Sequence, residues 1–273
     1  MSTDAQIARS LRDNRDLWDK RVRAHLQHGL YPSGRVLDGT YDVLEPEITE
    51  LGDVRGKRLV HLQCNAGADT LAWARRGALV TGIDFSSVAI DEARRLASST
   101  GVDATFVCAD VLAPPEGLGP FDLVYTSMGV LWWLPDLDRW AGVIHDLLAD
   151  GGVFYIHEIH PMTMCLLERD DGTIALAEDY YDSPPAFETT GTYYDGGSDF
   201  AAEPATEHGT VHTLGQVVTA IAGAGLRIEW LHEHPFTTFR QHPSMVWDDE
   251  RRLWGWPRGA PRIPVTFSLR ARR

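Results

Sequence analysis

The chain has 273 residues, 44% of them hydrophobic, and carries a net charge of −14. Its length suits one large core domain with additions, and its acidity excludes a broad phosphate-neutralising surface, so no nucleic-acid partner is expected. No apolar run approaches membrane-spanning length, and the three scattered cysteines, Cys64, Cys108 and Cys165, suit a reducing cytoplasm.

The first predicted element is a helix of about six turns. It opens on the capping pattern Thr3-x-x-Gln6, carries Ile7, Leu11, Trp18, Val22 and Leu26 at helical spacing, and ends near Gly29. A loop with Tyr31, Pro32 and Tyr41 follows. Alternation then becomes regular: strand 59–62, helix 68–76, strand 78–83, helix 87–99, strand 105–107, strand 121–126, helix 136–149 and strand 153–157. Strands alternating with helices of this length predict a parallel sheet covered on both faces. After Pro161 the pattern breaks. Residues 162–210 hold Tyr180, Tyr181, Phe187, Tyr193, Tyr194 and Phe200 among Gly, Pro and Asp, which reads as an insertion rich in strands or loops. Thr213-x-x-Gln216 reopens a helix, and strands 226–233 and 262–270 close the chain around Trp247, Trp254 and Trp256. The expected organisation is an N-terminal helical cap (1–44), an α/β core (45–161), a lid (162–212) and a return to the core sheet (213–273).

Four stations carry the chemistry. The first is Leu59-Val60-His61-Leu62-Gln63-Cys64-Asn65-Ala66-Gly67-Ala68-Asp69-Thr70, a strand running through a tight turn into a helix. The second, Thr81-Gly82-Ile83-Asp84-Phe85-Ser86, is a strand that ends on a carboxylate. Val107-Cys108-Ala109-Asp110-Val111 and Phe121-Asp122-Leu123-Val124-Tyr125-Thr126-Ser127-Met128 follow in order. Over residues 45–160 this succession resembles the class I S-adenosylmethionine-dependent methyltransferases, small-molecule subgroup. The resemblance implies a Rossmann-like, mostly parallel seven-stranded sheet with helices on both faces, an N-terminal helical cap and an inserted aromatic-rich lid. It implies S-adenosyl-L-methionine as the cofactor.

Residue by residue, Gln63 and Asn65 stand where the family has the first two glycines of its turn, Gly67 keeps the third, and His61 replaces the usual acid. Asp84 would accept the ribose hydroxyls, Asp110 and the amide of Val111 would meet adenine, and Phe85 would line its face. Thr70, at the helix start, counts with Gln63, Asn65 and Gly67 among the cofactor-binding candidates, Thr126 or Ser127 would lie by the methionine moiety, and Trp132 or Trp133 would pack on adenine, with Trp132 preferred. At the end of the fifth predicted strand, Glu158 and His160 fall on one side by alternation and could form an oriented catalytic base. His157, His234, Tyr31 and Tyr41 are candidates to face the acceptor. No metal is expected. The implied reaction is methyl transfer to O, N or C of a small, apolar or aromatic metabolite, by a monomer or homodimer. A non-catalytic cofactor-binding protein and a nucleotide-dependent oxidoreductase are the alternatives.

Overall fold

The computed structural model describes residues 3–170, 172–190, 204–260 and 262–273. Helix α1 (Thr3–Gln27) buries Asn14, Leu17, Arg21, Val22 and His25, a stripe at three- and four-residue spacing. It closes where Leu30 N–H reaches back to His25 O at 2.9 Å. The Thr3 cap expected from the sequence falls outside the described side chains. Short helices α2 (Ser33–Leu37) and α3 (Glu45–Leu51) lead into the core.

The core alternates as expected: β1 (Arg58–Leu62), α4 (Ala68–Arg75), β2 (Leu79–Asp84), α5 (Ser87–Thr100), β3 (Ala104–Cys108), β4 (Phe121–Thr126), a 3-10 turn (Leu131–Trp133), α6 (Leu137–Leu147) and β5 (Leu148–Ile159). The helix starts have local causes. Ser86 accepts the N–H of Ala89 at 3.2 Å and Asp136 that of Arg139 at 2.9 Å, caps worth about 1 kcal/mol each. Beyond Pro161 come α7 (Pro161–Met164), the hairpin β6 (Leu166–Glu168) and β7 (Ile174–Leu176), and the pair β8 (Phe187–Thr189) and β9 (Ala205–Glu207). Tyr193, Tyr194 and Phe200 lie outside the described residues. Helix α8 (Leu214–Gly223) begins with the reciprocal Thr213–Gln216 box that its sequence predicts. β10 (Arg227–His234) and β14 (Thr266–Arg272) rejoin the main sheet. Between them β11 (Phe236–Thr237), β12 (Val246–Asp248) and β13 (Leu253–Gly255) form a separate small sheet, which contains Trp247 and Trp254.

The main sheet has the order β10-β14-β5-β4-β1-β2-β3, parallel from β5 to β3, with β14 antiparallel to both its neighbours. This is the Rossmann-like, mostly parallel seven-stranded arrangement expected. Strand β1 is buried on both faces, as a central parallel strand must be. Val60 and Leu62 join Trp140, Phe154 and Ile221 on one side, while Leu59 joins Trp73, Tyr125 and Tyr155 on the other. Trp140 is fully buried edge-on to Phe154, so truncating it to Ala would cost about 3–5 kcal/mol. The chain passes from β1 to β2 on one side and later returns to β4 on the other. The strand order reverses there, and a crevice opens beyond the carboxyl ends of β1 and β4.

Candidate active site

That crevice holds a cavity of about 250 Å³. Its floor is the turn after β1, where alternate residues take positive φ: Gln63 at 57°, Asn65 at 48° and Gly67 at 76°. Only Gly67 has no room for a side chain, since a Cβ there would lie 2.7 Å from that of Ala93 and 2.8 Å from the Phe106 ring. The two non-glycines bear a local cost of about 1–2 kcal/mol each and are held by specific bonds. The Asn65 carboxamide oxygen accepts the N–H of Ala66 at 2.7 Å and the Tyr31 hydroxyl at 2.8 Å. Gln63 Nε2 donates to Val130 O at 3.1 Å, while its Oε1 is buried with no partner among the described residues.

Two carboxylates stand on either side of this turn. Asp84, at the end of β2, accepts the N–H of Asn65 through Oδ2 and that of Ser86 through Oδ1, each at 2.9 Å. Burial raises its pKa to about 6 against those two bonds. Asp69, in the first turn of α4, accepts the Tyr41 hydroxyl at 2.5 Å and the Ser127 hydroxyl at 3.1 Å. Burial, aided by the nearby Glu47 charge, raises it to about 6 as well. Ser127 lies 3.2 Å from His61 Nε2, and His61 Nδ1 lies 2.8 Å from Thr70 Oγ1. Burial drives the His61 pKa down to about 3, so the ring is neutral. With Ser127 donating to Asp69, the consistent tautomer carries its proton on Nε2, donates to Ser127 and accepts from Thr70. His61 therefore does not simply replace an acid. It orients a serine toward Asp69, eight residues further along the chain.

Of the site residues expected from the sequence, Tyr31, Tyr41, Gln63, Asn65, Gly67, Asp84, Phe85, Asp110 and Val111 all line this cavity. Others lie elsewhere. Thr70 and Thr126 are fully buried beneath the floor, bonded to His61 and to Leu62 O. Trp132 donates its indole N–H to Glu207 at 2.8 Å and packs on Gly209, so Trp133 is the tryptophan in the wall. The expected Glu158–His160 pair is not made. Glu158 accepts the backbone N–H groups of Gly129, Val130 and Leu131, the loop that forms one rim. His160 caps α7 and bonds Glu233 at 2.9 Å. The loop amides take the Glu158 carboxylate, and His160 lies just beyond the end of β5. His157 bonds Glu47 and Thr266, His234 bonds Ser268, and neither lines the cavity. Asp69 and Met128 are among the wall residues to which the sequence assigned no role, while Ser127 and Trp133 entered only as alternatives to Thr126 and Trp132. For Asp69 the signal available was a carboxylate in the first turn of the helix that follows the turn.

The walls have a decided electrostatic character. They include Asp69, Asp84 and Asp110 but, among the described residues, no Lys or Arg. Trp18 and Trp133, 5.3 Å apart and edge to face, and Phe85 add aromatic surface. Such a cavity favours a ligand with positive charge and disfavours a pyrophosphate. Among the described residues, no group of three or more His, Cys, Asp or Glu is arranged to hold a metal, and no helix is long and apolar enough to cross a membrane.

A family model described as a methyltransferase domain matches residues 60–152, from β1 into β5. A ubiquinone biosynthesis O-methyltransferase of Coxiella burnetii is 29% identical over 117 residues, 43% of this chain and 48% of that protein. The like-named protein of Pseudomonas aeruginosa is 33% identical over 115 residues, 41% of this chain and 49% of that one. The chain thus spans about half the length of the curated relatives it matches. A solved S-adenosylmethionine-dependent methyltransferase from Mesorhizobium loti superposes with a TM-score of 0.57 at 23% identity, over 84% of this chain and 96% of that one, a likeness of fold.

Proposed function

We propose that the chain, whose residues 60–152 match a methyltransferase-domain model, is a class I S-adenosylmethionine-dependent methyltransferase that acts on O, N or C of a small, apolar or aromatic metabolite. The observation that carries this reading is the charge of the cavity. Three aspartates and, among the described residues, no Lys or Arg face a ligand site at the strand ends. S-adenosylmethionine brings a sulfonium and an ammonium, whereas a nicotinamide dinucleotide brings a pyrophosphate that these walls would repel.

The residues present fit the cofactor. Asp84 keeps acceptor capacity for a ribose diol beyond its two backbone bonds. Asp110, whose Oδ1 accepts Leu112 N–H at 2.9 Å, and Val111 would meet the adenine edge, with Phe85 on its face. The unpartnered Gln63 Oε1 is suited to an N–H of the methionine end, and Asp69 to its ammonium. When bound, the cofactor supplies a methyl group already activated by the sulfonium, so the chain's task is to bind, align and exclude water. Glu158 contributes by holding the 129–131 loop in place, as a positioning residue.

The relatives named for ubiquinone biosynthesis support an aromatic oxygen acceptor as the first class to screen. Calorimetric titration with S-adenosylmethionine and, separately, NADH tests the reading. Micromolar binding of the first and none of the second is expected, and the reverse would overturn it.

A further inference from the structure

A second cavity of about 330 Å³ lies against the small β11-β13-β12 sheet. Its apolar surface comes from Phe236, Trp254 and Trp256. Trp256 is fixed by stacking on His242 and by donating its indole N–H to Ile263 O at 2.9 Å, while Trp254 packs edge-on against Trp247. These aromatic faces are held in place before any ligand arrives, which lowers the entropy cost of binding.

The lining also carries Arg251, Arg258 and Arg262. Among the described residues, none of the three guanidinium groups has a carboxylate partner within 4 Å. The one acid in the lining, Asp248, is already engaged by the N–H groups of Glu250 and Arg251, both at 3.0 Å. A chain of net charge −14 has acids to spare. Three unpaired arginines gathered beside aromatic rings are therefore a local inversion of its charge.

We propose that this cavity binds a small aromatic carboxylic acid, with the ring against Trp254 and Trp256 and the carboxylate on the arginine fork. Guanidinium is matched to carboxylate by its planar paired donors, and the tryptophan faces supply the area that a bare anion cannot use. The position relates this site to the first one. Phe236 lines the second cavity, and the next residues, Thr237 and Thr238, bring their hydroxyls to within 4.0 and 3.4 Å of the sulfur of Met128, which lines the first. The acid is accordingly assigned as the anionic end of the methyl acceptor, a step that rests on the methyltransferase reading.

The test is calorimetry on the full chain with 2-naphthoate, the neutral 2-naphthylmethanol and inorganic phosphate, with and without S-adenosylhomocysteine. Saturable binding of 2-naphthoate is expected, at least tenfold tighter than either of the others and weakened about tenfold in Arg258→Gln and Arg262→Gln. Unchanged S-adenosylhomocysteine affinity in both variants would establish that they are folded. Equal binding of 2-naphthylmethanol or of phosphate, absence of saturable 2-naphthoate binding, or indifference to both arginines would overturn the site. If S-adenosylhomocysteine fails to bind the unaltered protein while 2-naphthoate binds as expected, the methyltransferase reading falls and the acid site stands.

Discussion

Oδ2 of Asp84 accepts the backbone N–H of Asn65 at 2.9 Å, so the carboxylate that ends the second strand also fastens the turn that ends the first. The cavity-lining acid and the strained turn are thus one unit. In Asp84→Asn the carboxamide has a single acceptor oxygen for the two N–H groups now bonded, Asn65 and Ser86. The expected loss is about 1–3 kcal/mol of stability and at least tenfold in S-adenosylmethionine affinity. Chemical denaturation and calorimetry on the same preparation check both. Full affinity in this variant would end the ribose assignment.

Burial raises the pKa of both Asp69 and Asp84 to about 6. Their folded values exceed the unfolded value of about 3.9, so what they add to stability is present below that value and lost as pH rises through 6. A cationic ligand reverses the preference by favouring the charged carboxylates. S-adenosylmethionine affinity should therefore climb severalfold between pH 5 and 7.5, with proton release near pH 6. Titrations in buffers of different ionisation enthalpy would read that release directly, and a flat profile would remove these two groups from the ligand's surroundings.

Adjacent tryptophans give a sharp contrast. Trp133 faces the cavity, whereas Trp132 is committed to Glu207. Trp133→Ala should weaken cofactor binding by about tenfold or more, in line with the loss of a stacking face. Trp132→Phe should leave binding within about twofold and lower the melting temperature through the lost hydrogen bond. Equal effects on affinity would contradict the placement of the two rings.

Glu158 and His160 are separable by the same logic. Glu158→Gln gives up acceptors for the 129–131 loop, so KM should rise while the shape of the pH–rate profile stays the same. His160→Ala removes the α7 cap and the Glu233 bond, at about 0.5–2 kcal/mol of stability, and turnover should stay within about threefold. A lost limb of the profile in the histidine variant would restore it as a base.

Helix α1 is fastened over the site by a buried ion pair, Arg21 to Glu207 at 2.6 Å, with Arg21 lying over the Trp18 and Trp133 rings. Removing one partner strands the other charge, a cost of about 3–5 kcal/mol. Glu207→Gln should lower the melting temperature by several degrees and raise amide exchange across residues 3–27. Unchanged exchange there would show that α1 is held by other contacts.

The sequence by itself determined the layered sheet and the floor of the site. The strand and helix periods, the glycine stops and the capping pattern at Thr213 are local signals. They act through backbone geometry within a few residues. Asp84, Asp110 and Val111 were legible for the same reason, because a residue at the end of a parallel strand is carried to the ligand edge by the topology alone. Tertiary structure alone decided which side chains spend their hydrogen bonds elsewhere. Glu158 is taken by amides 27 to 29 residues away and His160 by Glu233, 73 residues away. Trp132 is taken by Glu207, 75 residues away. A buried polar group must find a partner, and no local pattern says which distant segment supplies it. Asp69 shows the converse. Its place in the wall depends on Tyr41, Ser127 and His61 meeting around it, three residues joined by the fold and not by any motif.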